Sequence, residues 1–257
     1  MTQVQSYERS LARSRHSLSR SDRPKVFRMG RREWDLLDEV FAPVYSPSTQ
    51  IALGFVGLGC GDALVAGAVD LGPGCGTGTP AAVAPPTGSF LDLGCGTGII
   101  GVSAALAGCE RVTAVDINPR AVVNARVNAV RHRVAAQVRA VQSDLFAGLA
   151  GERFDTVLWS SNYVRGPEEY TYRSLHECAY VDPGYRTHRR FVAEAPGMLA
   201  PGGRALLHFS DRGDVAGLYR IARETGRELH VLRTLDVLEY GKDPVAHMLI
   251  EVRGTGS

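Results

Sequence analysis

Short apolar runs alternate with helix-like patterns over most of this chain. Apolar runs at 90–93, 112–115, 138–141 and 154–159 predict four buried strands, and runs at 205–209, 229–232 and 245–252 predict three more. After the first run, Ile99, Val102 and Leu106 recur at helical spacing, and after the second Val123, Val127 and Val130 predict a buried stripe. Alternating strands and helices of this kind predict an α/β fold with a parallel sheet.

The first ninety residues have a different character. Residues 1–24 are basic and polar, which predicts a solvated arm, whereas Trp34, Leu37 and Phe41 have the spacing of a helix over 31–41. Pro43 and Pro47 exclude a helix before Ser48, where a helical pattern begins. The predicted organisation is a basic flexible arm at 1–30, a helical cap at 31–70, a linker rich in glycine, proline and alanine at 71–89, and the main domain at 90–257.

A glycine-rich turn follows the first predicted strand. Glycines there let the backbone approach a ligand, and the next helix begins with unpaired N–H groups. Asp116 ends the second predicted strand, where a carboxylate can accept both hydroxyls of a ribose. The spacing lacks the third glycine of the dinucleotide fingerprint, since Ile99 stands there, and the lysine of a P-loop is missing. A second copy of the letters GCGTG at 74–78 has no strand before it and a proline after it, so we expect the nucleoside pocket at 94–98.

The run DLGCGTG at 92–98, together with Asp116, resembles motif I and the acidic ribose residue of the class I S-adenosylmethionine-dependent methyltransferases. This resemblance implies a Rossmann-like, mostly parallel seven-stranded sheet with helices on both faces and an antiparallel last strand. It also implies a transferase that uses S-adenosylmethionine as co-substrate and no metal. The residues expected at the cofactor are Asp92, Gly94, Cys95, Gly96, Gly98, Asp116, Ile117, Asp144, Leu145, Tyr45 and Thr49.

Two further segments resemble the HemK-like methyltransferases, which modify glutamine or related nitrogens. One is VYSPSTQ at 44–50, and the other is the strand end at 160–163, where that family has Asn-Pro-Pro-Tyr. Tyr163 is kept, but Ser160 stands in place of the asparagine and both prolines are missing, with Asn162 at the second of them. The resemblance implies that Asn162, Tyr163 and Ser160 are the catalytic residues, in a clamp altered from that of the family.

Because of this altered clamp, we expect the acceptor to be a nitrogen of a small molecule: an amino acid, a guanidine or a specialised metabolite. Three alternatives stay open: methylation of protein glutamine, intramolecular cyclisation of S-adenosylmethionine as in azetidine-2-carboxylate synthases, and a non-catalytic binding module. Aromatic rings and paired carboxylates suit a cationic acceptor. The candidate acceptor residues are Glu168, Glu169, Tyr170, Tyr185 and Ser210, although Glu168 and Glu169 also suit the start of a solvated helix after Pro167.

Composition sets the remaining expectations. The formal net charge of +2 gives no reason to expect nucleic acid as a partner. No apolar run reaches membrane-spanning length, and the first thirty residues lack the apolar core of a signal peptide. The five cysteines form no C-x-x-C pair. We therefore expect a cytoplasmic protein without a membrane partner, and the oligomeric state stays open.

Overall fold

The computed structural model describes residues 6–59, 84–238 and 244–254. Its helices are α1 (Tyr7–Ser19), α2 (Ser48–Phe55), α3 (Ile99–Leu106), α4 (Pro119–Arg131), α5 (Arg186–Glu194) and α6 (Val215–Glu224). Its strands are β1 (Val26–Met29), β2 (Arg32–Asp35), β3 (Ser89–Leu93), β4 (Arg111–Asp116), β5 (Val138–Gln142), β6 (Phe154–Ser160), β7 (Arg165–Gly166), β8 (Asp182–Pro183), β9 (Leu199–Ser210), β10 (Arg227–Leu238) and β11 (Pro244–Gly254). Short 3-10 turns occupy Pro43–Tyr45, Leu175–Ala179 and Ala195–Met198.

The main sheet has seven strands in the order β10-β11-β9-β6-β3-β4-β5. Strands β5, β4, β3, β6 and β9 pair in parallel, and the last strand, β11, is antiparallel to both of its neighbours. One apolar cluster joins α2, α3 and α4 to the sheet, and a second joins α5 and α6 to it. The predicted Rossmann-like, mostly parallel sheet with helices on both faces is confirmed, and its carboxyl edge collects the ends of β3, β4, β5 and β6.

The segment predicted as a helix at 31–41 begins instead with a β-hairpin. Strands β1 and β2 pair antiparallel around a two-residue turn of Gly30 and Arg31, and Gly30 has a φ of 60°. Phe27 and Trp34 are directly opposite each other and both are buried. The helix prediction was wrong because Trp34 alternates with exposed residues along a strand, and the spacing to Leu37 and Phe41 is incidental.

The basic arm also differs from the expectation, because residues 7–19 form α1. Ser6 caps this helix by accepting from the N–H of Arg9, and Leu11, Ser14 and Ser17 lie on its buried side. The hydroxyl of Ser14 lies 2.8 Å from Nδ1 of the buried His176. The buried side of α1 consists of small polar residues and one leucine. Such a face gives little apolar periodicity in the sequence, so the helix was not predicted.

Helix α4 begins as predicted, with Asn118 accepting from the N–H of Arg120 and Pro119 at the first helical position. Its buried face is different from the one predicted: Val123, Val127 and Val130 are exposed, whereas Asn124 and Asn128 are completely buried. The amide oxygens of these asparagines accept from the backbone N–H groups of Leu37 and Asp35, at 2.9 and 2.8 Å. Backbone groups beside the hairpin need partners once they are buried, and the two asparagines supply them.

Residues 71–83 of the predicted linker, which include the second GCGTG at 74–78, lie outside the described residues, and Ser89 at its end already belongs to β3. In the described ranges, the structure contains no helix with the length and apolar character needed to cross a lipid bilayer.

Candidate active site

A cavity of about 1070 Å³ opens at the carboxyl edge of the sheet. Its floor is formed by the residues that follow β3, β4, β5 and β6, and its walls come from residues 43–50 and 172–180. One face of α1 also lines it, through Arg13, His16, Ser17 and Arg20. The segment expected to be a solvated arm therefore lies against the cavity.

The glycine turn after β3 holds two glycines that serve different purposes. Gly96 lines the cavity at a φ of 53°, and a Cβ added to it would meet no protein atom within 4 Å. Gly98 has a φ of 79°, and a Cβ there would come 2.7 Å from Cα of Ala125 in α4. Gly96 therefore keeps open space in the cavity, whereas Gly98 allows α4 to approach the turn closely.

Asp116 lies at the end of β4 and ties the turn to this strand. One carboxylate oxygen accepts from the N–H of Gly96 at 2.9 Å, and the other accepts from the N–H of Asn118 at 2.8 Å. Burial raises the pKa of Asp116, and these two backbone hydrogen bonds act in the opposite direction. A carboxylate can accept about four hydrogen bonds and Asp116 lines the cavity, so this side chain can still accept from a ligand hydroxyl.

The structure divides the eleven predicted cofactor residues into two groups. Nine line the cavity: Gly94, Cys95, Gly96, Asp116, Ile117, Asp144, Leu145, Tyr45 and Thr49. Asp144 stands at its exposed rim, where its carboxylate pairs with Arg190 at 2.7 Å. The guanidinium of Arg20 covers the ring of Tyr45, with 4.8 Å between Cζ and the ring centroid.

Asp92 and Gly98 do not line the cavity. Asp92 is 1% exposed, and its carboxylate accepts from the N–H of Gly101 at 2.8 Å, which holds the first turn of α3. Burial raises the pKa of Asp92 to about 7. Both residues support the glycine turn on the side away from the cavity: Asp92 bonds to α3, and Gly98 packs against α4.

The three predicted catalytic residues, Ser160, Asn162 and Tyr163, line the cavity at the end of β6. The amide nitrogen of Asn162 donates to the carbonyl of Cys178 at 2.7 Å. Its amide oxygen is buried and has no hydrogen-bond partner among the described residues. Tyr163 adopts a φ of 33°, and its carbonyl accepts from the hydroxyl of Tyr185. Asn162 thus holds one unused hydrogen-bond acceptor, buried beside the cavity at the end of β6.

The five predicted acceptor residues lie elsewhere. Glu168 and Glu169 are exposed and begin no helix, and Tyr170 donates to the carboxylate of Glu177 at 2.9 Å. Tyr185 is 1% exposed in the core, and Ser210 is fully buried. None of these five side chains lines the cavity described above, because the chain after Pro167 turns away and packs Glu168 beside Gly184.

The same loop brings to the cavity other residues that were not among the predicted site residues: Tyr172, Leu175, His176, Cys178, Ala179 and Tyr180. The cavity face of α1 was also missed. Arg13, His16, Ser17 and Arg20 are separated by three, one and three positions, which is a helical spacing. Because all four are polar, the segment resembled a solvated arm.

The chain was compared with families and proteins of known function. Residues 81–166 match the family model of the methyltransferase small domain. The matched methyltransferase segment contains the glycine turn, Asp116, Asp144 and the end of β6.

Two curated relatives are glutamine methyltransferases by name. The chain is 34% identical over 160 residues to the release factor glutamine methyltransferase of Bordetella pertussis, covering 58% of this chain and 57% of that protein. It is 32% identical over 122 residues to the ribosomal protein uL3 glutamine methyltransferase of Francisella tularensis, covering 45% and 39%. The chain therefore spans about half the length of these relatives or less.

Among solved structures, the ribosomal protein L11 methylase of Lactobacillus delbrueckii subsp. bulgaricus matches with a TM-score of 0.45 and 14% identity, over 65% of this chain and 69% of that one.

These relatives correct the expected acceptor. The sequence analysis favoured a small molecule, whereas the two curated relatives are named for a ribosomal protein and a release factor. The prediction of a small-molecule acceptor was wrong, and the comparisons give no support to a role in specialised metabolism. The expectation of a small molecule had rested on the two prolines missing beside Tyr163.

Proposed function

We propose that this protein is an S-adenosylmethionine-dependent methyltransferase whose acceptor is the side-chain amide nitrogen of a glutamine in another protein. The observation that carries the proposal is the position of Asn162. Asn162 lines the same cavity as Gly96 and Asp116, and its buried amide oxygen has no hydrogen-bond partner among the described residues. One cavity thus offers a place for a nucleoside and an acceptor for an N–H group.

The nucleoside side fits the adenosyl group of the co-substrate. Gly96 leaves room for close approach of the ligand, and Asp116 offers carboxylate lone pairs to the ribose hydroxyls. In this proposal Cys95, Ile117 and Leu145 contact the adenosyl group, Asp144 faces the adenine amino group, and Tyr45 and Thr49 cover the ligand. When bound, S-adenosylmethionine supplies a methyl group on a positively charged sulfur.

The acceptor side fits a primary amide. Because the nitrogen of the Asn162 amide donates to the carbonyl of Cys178, its oxygen is the atom left to accept a hydrogen bond. An amide –NH2 that donates one N–H to this oxygen is fixed in orientation. Holding two reactants in line can supply much of the rate acceleration of a transfer reaction. The ring of Tyr163, which is 5% exposed, forms the adjoining wall.

The size of the cavity and the names of the relatives support a second large reactant. Ordinary ligand pockets have volumes of about 300–1,000 Å³, and this cavity lies at the upper end of that range. It therefore has room for an adenosyl group and a glutamine side chain together. Support for a protein acceptor comes from the glutamine methyltransferase relatives.

The test is an incubation of the protein with S-adenosylmethionine and purified ribosomal protein uL3 or release factor. We expect a gain of one methyl group on a glutamine, located by mass spectrometry of peptides, with S-adenosylhomocysteine as the nucleoside product. The matched control is the acceptor with that glutamine replaced by glutamate. Formation of 5′-methylthioadenosine instead would favour cyclisation of the co-substrate and contradict the proposal, as would the absence of either product.

A second test separates binding from turnover. Asn162→Ala is expected to keep the affinity for S-adenosylhomocysteine within about threefold and to lower kcat about 10–100-fold, the equivalent of one lost hydrogen bond at the acceptor. Equal losses in both measurements would assign Asn162 to the nucleoside side and contradict its proposed role.

A further inference from the structure

We propose that Ser160, His208 and His247 form a proton relay that removes the proton released when the acceptor nitrogen is methylated. The inference deepens the proposed function and rests on it. It assigns a role to two buried histidines behind the cavity floor. No described hydrogen bond joins these histidines to the glycine turn, to Asp116 or to Asn162.

A continuous chain of hydrogen bonds leads from the cavity into the sheet. Ser160 lines the cavity at the end of β6, and it lies directly opposite His208 of β9 in the strand pairing. The hydroxyl of Ser160 lies 3.1 Å from Nδ1 of His208, and Nε2 of His208 lies 3.0 Å from Nδ1 of His247 in β11. Three adjacent strands thus carry one linear hydrogen-bonded array.

Both histidines are completely buried. Burial, together with the neighbouring His247, lowers the pKa of His208 well below its ordinary value, so that its ring is neutral near pH 7. A neutral imidazole has one N–H group and one lone pair. If Nδ1 of His208 accepts from the Ser160 hydroxyl, Nε2 must carry the hydrogen and donate to His247. In that arrangement each of the two hydrogen bonds has one donor and one acceptor.

The groups packed around the pair come from several elements. Phe55 in α2 packs at 74° to His208, with 5.6 Å between the ring centroids, and Cζ of Arg233 lies 5.7 Å from the centroid of the Phe55 ring. The ring of Tyr163 stands at 85° to His247, with 6.2 Å between the centroids. Asp211 accepts from the N–H of Ala246, beside His247. The charged groups among these neighbours are Arg233, which lies over the Phe55 ring, and Asp211, which accepts from a backbone N–H.

Methyl transfer to an amide nitrogen requires such an outlet. The nitrogen forms a bond to the methyl carbon as the bond from sulfur to that carbon breaks, with its electron pair left on sulfur. The nitrogen then loses one N–H bond, so one proton must leave. In the relay this proton passes to the oxygen of Ser160 while the hydroxyl proton of Ser160 passes to Nδ1 of His208. The positive charge that the sulfur loses then resides on the His208 imidazolium, which donates from Nε2 to His247 until the product leaves.

The lowered pKa of His208 does not prevent this transfer. A methylated amide nitrogen that still carries both hydrogens is a much stronger acid than an imidazolium, so a weak base is sufficient. The same feature keeps His208 unprotonated before the reaction. Ser160 stands where the HemK-like pattern has asparagine, so in this chain a hydroxyl backed by imidazole replaces an amide at that position.

The test compares Ser160→Ala with Ser160→Thr, which keeps the hydroxyl, on the acceptor methylated by the wild-type protein. We expect Ser160→Ala to lower kcat about 100-fold, the usual scale for loss of a proton-transfer group, with KM values within about threefold. Ser160→Thr should recover most of the rate. A wild-type kcat in Ser160→Ala would overturn the relay and leave the proposed function standing, whereas a wild-type protein that methylates no acceptor fails the proposed function itself.

A double-mutant cycle tests the participation of the histidine. His208→Gln keeps a hydrogen-bonding side chain of similar size that cannot take up a proton, and the variant is used only if its thermal transition shows that it folds. We expect Ser160→Ala/His208→Gln to be no slower than Ser160→Ala alone, because residues that act as a unit are not additive. Additive losses would overturn the relay.

An observation on the free protein complements the kinetics. Nitrogen NMR of the imidazole rings is expected to show His208 as a neutral tautomer near pH 7, with its Nδ1 resonance shifted in Ser160→Ala. A His208 ring that is already protonated near pH 7, or one that does not respond to the loss of the hydroxyl, would contradict the assignment.

Discussion

The carboxylate of Asp116 holds the backbone N–H of Gly96 at 2.9 Å, which fixes the end of β4 to the glycine turn that follows β3. The other carboxylate oxygen holds the N–H of Asn118, at the start of α4. One side chain therefore sets the relative positions of two neighbouring strand ends, and it faces the cavity at the same place.

Asp116→Asn is expected to weaken the binding of S-adenosylhomocysteine about 10–100-fold, as measured by calorimetry. An amide has one acceptor oxygen where the carboxylate has two, so one of the two backbone N–H groups loses its partner. Glu224→Gln, the same chemical change on the exposed face of α6, serves as the control and should bind as the wild type does. Equal affinity in Asp116→Asn and wild type would show that the nucleoside lies elsewhere.

The two glycines of the turn should respond differently to alanine. Gly96→Ala is expected to stay folded and to lose about 1–2 kcal/mol of stability, because alanine is strained at the left-handed φ of this position. It should also weaken S-adenosylhomocysteine binding about tenfold or more, because the added methyl group enters the cavity. Gly98→Ala should destabilise the protein further, since its Cβ would overlap Ala125. Thermal melting and calorimetry on both variants check this order, and a Gly96→Ala variant with full affinity would refute it.

Helix α4 offers an internal comparison of stability. Asn128→Ala is expected to lower the free energy of unfolding by about 3 kcal/mol, because the N–H of Asp35 and the carbonyl of Thr97 lose their buried partner. Val130→Ala on the same helix should change it by no more than about 0.5 kcal/mol, because that side chain is 67% exposed. Urea unfolding measures both, and a larger loss in Val130→Ala would mean that the valine face is the buried one.

The buried carboxyl of Asp92 predicts a pH dependence of stability. Burial raises its pKa from 3.8 to about 7, so between these pH values the folded protein binds a proton more tightly than the unfolded chain. The contribution of Asp92 is therefore favourable at low pH and is lost as the pH rises through about 7. Asp92→Asn, which can still accept from Gly101, should remove this decline, as seen in unfolding free energies measured from pH 5 to pH 8. A decline that persists unchanged in Asp92→Asn would assign it to another group.

Local chemistry in the sequence was enough to predict several parts of this protein. Short runs rich in apolar residues predicted β3, β4, β5 and β6, and Asn118 followed by Pro119 predicted the start of α4. These features depend on residues adjacent in the chain, where side-chain burial and capping act within one or two turns. The same is true of the glycine turn, since the need for positive φ is a property of the turn itself.

Contacts between residues far apart in the chain determined the other features of the fold and of the site. Asn124 and Asn128 are buried because the hairpin brings the backbone at residues 35–37 onto α4, and the helical period of the valines could not reveal that neighbour. Ser160, His208 and His247 meet because β6, β9 and β11 are adjacent in the sheet, although the residues are far apart in the chain. The sequence by itself determined the strands, the turn and the acid of the candidate nucleoside site. Only the tertiary structure determined which polar side chains face one another, because those contacts depend on which strands and helices become neighbours.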